Sequence, residues 1–498
     1  MTRTAVEAAA QEAQERAQRG TRQFLLARVC VILSGYVATA ILTRKLGPTA
    51  YGIYGVIISQ VLWVEMVNNA GVTGAIAKLI ADGRHNHGEI ERSGRGLLLG
   101  FSLFLLAICW LVAPRMASFM QIPGGEVLFR VAILDLPFMA VFTSYDGILN
   151  GRRQFGVLAG AHVLYGMAKL AGVVALLGLG FSVERVLITF VLSTCVVCAV
   201  LAIRFWPRGF QPNGRVIGEI VVLTAPMALY LISNQVLLNL DLWSLKSLWK
   251  GEGTVVGQYV ASMNLAKTLM VIPGAQAGVL FTSLAWALAS RDIERARLHI
   301  QEATRFAVII AAAAWVILSF NASEVLSVLF SGAYAEGRRF LPLLLAGFGL
   351  FALLDVFSQA LMVAGRRWFL AGALVSTVPL VWLSNYLLIP RFGPMGAATS
   401  MLLGLTISTT LIGATVYRRF GSLVQPVTLL RVAVAAALTG LVSALCPAPG
   451  LLVLVKLAVL GGLYLLLLYL LREITRKDFE LLRKSAGGRP ARSLEGID

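Results

Sequence analysis

Six ionisable side chains stand deep inside long apolar runs of this 498-residue sequence: Arg28, Glu65, Asp135, Lys169, Lys267 and Asp355. Asp146, Asp241, Lys246, Arg431 and Lys456 lie nearer the ends of such runs. A charge in hydrocarbon costs roughly 2.5–3.5 kcal/mol on insertion scales, so each needs a reason to be there. A carboxyl can exchange a proton or hold a sodium ion. A buried ammonium or guanidinium needs an anion, either a protein carboxylate or a phosphate oxygen.

Spacing gives these groups faces. Glu65, Asn68, Asn69, Val72 and Thr73 fall at i, i+3, i+4, i+7 and i+8, which predicts a mostly polar stripe on a helix. Asp355, Ser358, Gln359 and Met362 repeat the pattern. Tyr230, Asn234 and Asp241 are placed on one face, and Asp135 and Asp146 on one side of another helix. Such stripes turn toward other helices or a wet cavity. Each group has a plainer reading as well. Glu65 and Asp355 can bridge helices by hydrogen bonds. Asp241, Lys246, Arg431 and Lys456 can reach the interface, and Asp135 on the neighbouring span can be the static partner of Lys169.

Other chemistries find little support. Cys195 and Cys198 form a C-x-x-C on an apolar helix, and with Cys30, Cys109 and Cys446 they read as packing residues. His85, His87, His162 and His299 have no ligand spacing, so no metal or other cofactor is expected. The sequence offers no phosphate-cradling P-loop and no nucleophile–base arrangement, which argues against direct use of ATP and against an enzyme.

The elements that position these residues are apolar runs of about 20 residues that recur along the chain. With 58% hydrophobic and 14% charged residues, the chain is too apolar for a soluble protein of its length. Backbone groups in hydrocarbon must pair within the segment, so the runs are helices, and the fold class is an all-α membrane protein. The predicted spans are 22–43, 53–74, 96–114, 127–149, 157–179, 184–206, 219–240, 254–282, 305–322, 340–363, 369–389, 395–416, 427–446 and 451–471, about fourteen in all. Residues 1–21 read as a weakly amphipathic segment with no cleavable signal, and 473–498 as a basic tail.

Of the 43 Lys and Arg residues, 25 fall in segments on one side of this scheme and 8 on the other, the rest within spans. The bias predicts an inner-membrane protein with both termini cytoplasmic. It also assigns the basic charge to lipid headgroups rather than nucleic acid. Arg152, Arg153, Arg366 and Arg367 belong to the cytoplasmic set, as topology determinants with a secondary role at a cytoplasmic gate.

The chain repeats itself. Gly52-Ile53-Tyr54 returns as Gly257-Gln258-Tyr259, and Glu89-Ile90-Glu91-Arg92 as Asp292-Ile293-Glu294-Arg295. Asn150-Gly151-Arg152-Arg153-Gln154-Phe155 returns as Ala364-Gly365-Arg366-Arg367-Trp368-Phe369. Six spans is an even number, so two six-helix lobes, 22–215 and 216–423, are expected as parallel repeats, with spans thirteen and fourteen (424–472) added outside them.

Several of these stretches resemble one known family. Leu46-Gly47-Pro48 with Tyr51-Gly52-Ile53-Tyr54, and Leu149 through Phe155, are similar to loops of the Wzx-type polysaccharide repeat-unit flippases. So are Asn239-Leu240-Asp241, Val256-Gly257-Gln258-Tyr259 and Leu329-Phe330-Ser331-Gly332-Ala333-Tyr334. The family lies within the multidrug/oligosaccharidyl-lipid/polysaccharide exporter superfamily. The resemblance spans residues 20–472 and implies two lobes around a cavity that opens alternately to each side. It also implies transport of an undecaprenyl-diphosphate-linked oligosaccharide, with a proton or sodium ion as coupling partner and a polysaccharide polymerase complex nearby. Arg28, Lys169 and Lys267 are then the candidate diphosphate ligands. Glu65, Asn68, Asn69, Asp135, Asn234, Asp241, Asp355 and Gln359 are the candidate cavity and coupling residues. A drug or metabolite extruder of the same fold, and a non-transporting scaffold of an assembly complex, are the alternatives.

Overall fold

Apolar runs that must satisfy their own backbone give helices end to end. The computed structural model describes residues 3–475 apart from 84, 206–211, 422 and 449; the side chains of 3–26, 28, 226 and 271–279 also lie outside the described residues. The N-terminal segment is therefore described only as backbone, from residue 3, and the basic tail only to residue 475.

The helices are α1 (Arg3–Asn69), α2 (Val72–Asp82), α3 (His87–Phe119), α4 (Gly125–Ile133), α5 (Asp135–Gly151), α6 (Phe155–Leu179) and α7 (Val183–Phe205). They continue as α8 (Gly214–Leu237), α9 (Leu240–Leu248), α10 (Gly253–Lys267), α11 (Val271–Ala289), α12 (Ile293–Phe320) and α13 (Ala322–Leu329). The last are α14 (Leu341–Val363), α15 (Arg367–Phe392), α16 (Pro394–Phe420), α17 (Pro426–Leu445) and α18 (Leu452–Leu470). Among the described residues, eleven helices are long and apolar enough to cross a membrane, or twelve if the bent α8 is one span. The expected fourteen divides α1 in two at its kink and adds 254–282, which falls on α10 and α11.

That kink has a local cause. Gly47 sits at φ 73, ψ 170, a conformation glycine reaches without a Cβ clash, and Pro48 brings no N–H to the helical ladder. The two arms of α1 pack along α6 and α10. Helix α8 contacts α1, α2 and α3, and packs more extensively on α15. Helices α17 and α18 pack on one another and on α12, with α18 also touching α13.

Three placements differ from the sequence expectations. Helix α8 stops at Leu237 and α9 starts at Leu240, so Asn234 and Asp241 do not share one continuous helix face. Asp241 is 0% exposed and its carboxylate accepts a hydrogen bond from the Tyr259 hydroxyl, so it is a buried group and not an interfacial one. Arg431 and Lys456, expected to reach solvent, make tertiary bonds. Arg431 meets the Glu473 carboxylate at 3.2 Å, and Lys456 donates to the Ser443 carbonyl at 2.8 Å. Glu473 also takes Arg305 at 2.9 Å and the Thr428 hydroxyl at 3.0 Å, which fastens α17 and α18 to α12.

The Arg-Arg repeats also differ in detail. Both helix ends close with a bond from residue i+5 back to residue i, Gln154 to Leu149 (2.8 Å) and Arg366 to Leu361 (2.9 Å). The left-handed position is Arg153 (φ 55) in the first and Gly365 (φ 78) in the second. The two turns are thus offset by two residues from the sequence match.

Candidate functional site

The repeated glycines meet. A Cβ on Gly52 would lie 2.7 Å from the Gly257 nitrogen, and one on Gly257 would lie 1.8 Å from the Pro48 carbonyl oxygen. No larger residue allows the second arm of α1 to approach α10 this closely. Around this contact the Tyr334 hydroxyl donates to the Thr43 carbonyl (3.0 Å), Arg44 to that of Val328 (2.6 Å), and Gln121 to that of Ser247 (2.9 Å). These bonds tie the early helices to the late ones on the face that carries Gly47.

Beneath the contact lies a cavity of about 410 Å³ between α1, α8 and α10. Tyr51, Tyr54, Ser59, Asn239, Asn264 and Lys267 are among its walls. Tyr51 and Tyr54 stand three residues apart on one side of α1, so the helical repeat turns both inward. Asn264 donates to the Tyr51 hydroxyl at 2.9 Å. The Lys267 ammonium donates to Asn239 Oδ1 at 3.2 Å, with the Asp241 carboxylate within electrostatic reach. Asp241 is itself bonded by Tyr259. The cation therefore faces the cavity with a neutral amide as its direct partner.

A second hollow of about 180 Å³ continues from the first, since Leu62 and Gln235 line both. Glu65, Asn68, Asn69 and Thr143 face it, which gives the polar stripe on α1 its wet side. Asn69 accepts a hydrogen bond from Thr73 at 2.6 Å. Behind this wall Asp135 and Lys169 lie within electrostatic reach of Glu65 and of one another. The Lys169 ammonium sits 4.3 Å from the Tyr165 ring centroid and 4.6 Å from that of Phe190. Among the described residues Lys169 lines neither hollow, so its neighbours are protein groups.

The remaining expected residues are dispersed. Asp355 and Gln359 lie one turn apart on α14, with the Tyr230 hydroxyl in reach of Asp355, away from both hollows. Asn234 is on α8, half-buried. Arg152 pairs with the buried Glu91, while Arg153, Arg366 and Arg367 are exposed. The side chain of Arg28 lies outside the described residues; Val31 and Ile32, on the following turn of α1, line the larger cavity. Tyr51, Tyr54, Ser59, Asn239 and Asn264 were not named as cavity residues from the sequence. The tyrosines were visible there only as parts of a loop motif.

Residues 19–285 match the family described as polysaccharide biosynthesis protein. The chain belongs to that family. Its relatives include stage V sporulation protein B of Bacillus subtilis (strain 168), 22% identical over 440 residues, which are 80% of this chain and 83% of the relative. Among solved structures, the lipid II flippase MurJ in an inward closed conformation superposes with a TM-score of 0.74 at 12% identity. That match covers 90% of this chain and 99% of the other. A multidrug resistance MATE family transporter of the MOP superfamily matches in its inward-facing conformation with a TM-score of 0.66 at 16% identity, covering 78% and 94%. In an outward-facing conformation the score is 0.58 at 17% identity, covering 82% and 96%. This member of the polysaccharide biosynthesis protein family has the all-helical fold of those transporters.

Proposed function

We propose that the chain is a flippase that carries an undecaprenyl-diphosphate-linked oligosaccharide across the inner membrane by alternating access. The observation that carries this reading is the Lys267 ammonium, presented to a polar cavity that the Gly52–Gly257 contact roofs on one face. A large sugar head cannot enter hydrocarbon, whereas its lipid tail need not leave it. The cavity hides the head, and Lys267 neutralises the diphosphate with Arg28, which the sequence puts one turn from the cavity wall. The positive-inside bias makes the Gly47 face periplasmic and the Arg152 face cytoplasmic.

In this cycle residues 22–215 and 216–423 act as two lobes that rock about the cavity, with 424–472 as an accessory pair. Glu65, with Asp135 and Lys169 behind it, is the coupling group, exchanging a proton or sodium ion as water reaches the smaller hollow. Arg152, Arg153, Arg366 and Arg367 hold the topology at the cytoplasmic face. Export measured in cells beside membrane protein level tests the reading. Normal level with lost export is expected for Lys267→Ala, and impaired export for Arg28→Lys, which keeps the charge but not the bidentate geometry. Normal export in Lys267→Ala and Arg28→Ala discards it. An extruder of organic cations is favoured instead if only Glu65→Gln abolishes transport.

A further inference from the structure

A third and larger hollow, about 590 Å³, lies on the outer side of the bundle. Its walls come from α1, α3, α4, α9 and α15, so both halves of the chain contribute. At its mouth Phe119, Trp382 and Tyr386 are 60%, 56% and 56% exposed, so the hollow opens sideways at membrane depth. At its inner end stand Gln60, only 4% exposed, and Trp63. Gln60 Nε2 and Trp63 Nε1 are buried donors with no acceptor among the described residues. An unpaired buried donor costs about 1–3 kcal/mol, and an oxygen of a ligand seated in the groove would satisfy both.

One wall is shared with the polar cavity. Trp243 lines the groove, and its indole donates to Ser59 Oγ (2.9 Å), which lines the cavity. Trp63 meets Trp243 edge to face at 5.9 Å. An amphiphile with its head in the cavity would therefore find an apolar channel beginning one side chain away.

We propose that this groove seats the isoprenoid chain of the lipid-linked substrate, with Gln60 and Trp63 donating to the oxygens that join chain to phosphate. The proposal rests on the flippase reading and adds the place and chemistry of tail recognition. The indole walls suit a chain that is unsaturated and methyl-branched along its length, because such a chain presents many C–H groups to ring faces. The hollow lies in the half of the membrane toward the Gly47 face, where Gln121 bridges to Ser247 beside it. It would thus receive the tail on the side to which the head is released.

The test uses the purified full-length protein in lipid nanodiscs and a polyprenyl phosphate bearing a diazirine in its chain, with labelled peptides mapped by mass spectrometry. Labelling is expected within 108–119 and 382–386, and unlabelled undecaprenyl phosphate should compete at least about tenfold better than phosphatidylglycerol. Val112→Trp, which fills the groove, should cut labelling about fivefold or more with unchanged thermal melting. Gln60→Leu should weaken polyprenyl phosphate and leave the phosphate-free polyprenol unaffected. Labelling elsewhere, equal competition by phosphatidylglycerol, or full labelling of Val112→Trp overturns the proposal. Binding is read without transport. Loss of groove labelling beside intact saccharide export therefore rejects the groove alone, while intact labelling beside export insensitive to Lys267 rejects the transport reading alone.

Discussion

Two lysines face each other across the function of this molecule, and their surroundings differ. Lys169 is enclosed by the Tyr165 and Phe190 rings, with Asp135 and Glu65 in reach, so the protein itself supplies its counter-charge. Lys267 opens onto the polar cavity and has the Asn239 amide as its direct hydrogen-bond partner, with one carboxylate, Asp241, in electrostatic reach. The comparison teaches that depth in the membrane does not define a binding cation; the partner that remains to be found does. The first lysine sits among two carboxylates behind the smaller hollow, and the second stands at a cavity wall with a single carboxylate in reach.

The largest effect is expected at Lys267. Export per molecule in Lys267→Ala should fall by about two orders of magnitude with membrane level within twofold of wild type, since a lost charged hydrogen bond to phosphate is worth about 1.5–3 kcal/mol and several are lost together. Retained export would erase the distinction between the two lysines. The next effect is conformational. Gly257→Ala puts a methyl into the Pro48 carbonyl, and overpacking of this kind costs about 1–3 kcal/mol, roughly five- to hundredfold against the closed Gly47 face. With the native cysteines replaced, a cysteine introduced at Tyr54 should then react with thiol reagents from that face; unchanged protection would remove the glycine contact from the gate.

Lys169→Ala should act on stability first. Removing one member of a buried ion cluster costs about 3–5 kcal/mol, so membrane level should drop, and Asp135→Asn in the same chain should restore much of it. A normal level with lost export would move Lys169 to the ligand side of the comparison. A smaller effect is expected at Glu473, whose arginine partners keep 22% and 36% side-chain exposure. Glu473→Gln should lower the stability of the α12–α17–α18 contact by about 2 kcal/mol, read as faster proteolysis around residue 424, with export reduced less than twofold.

Much of this arrangement was legible in the chain. Apolar length gave helices because unpaired backbone has no place in hydrocarbon, and the spacing of Glu65, Asn68 and Asn69 marked the wet side of α1, although the helix breaks at Gly71 (φ 92) and leaves Val72 and Thr73 on α2, off that stripe. Asp135 was readable as one candidate neighbour of Lys169, and the two lie within electrostatic reach. What escaped was everything set by helix breaks and by contacts between distant segments. The stop at Leu237 takes Asp241 off the face of Asn234, and no pattern of period 3.6 announces it. Glu473 looked like part of a basic tail because its arginines, Arg305 and Arg431, are 168 and 42 residues away. Tyr51 and Gly52 were visible as a motif, but their role needs Asn264 and Gly257 brought against them.

The central claim is that Lys267 faces a ligand and Lys169 does not. In a chain whose five cysteines are replaced and both lysines are kept, Asn264→Cys, one turn from Lys267 on the cavity wall, and Phe190→Cys, beside Lys169, can each be exposed to a charged methanethiosulfonate in native vesicles. The reaction at position 264 should be rapid and slowed at least about fivefold by the lipid-linked saccharide, while position 190 should stay nearly unreactive with or without it. Equal reactivity at the two positions, or reaction at 264 that the saccharide leaves unchanged, would contradict the account.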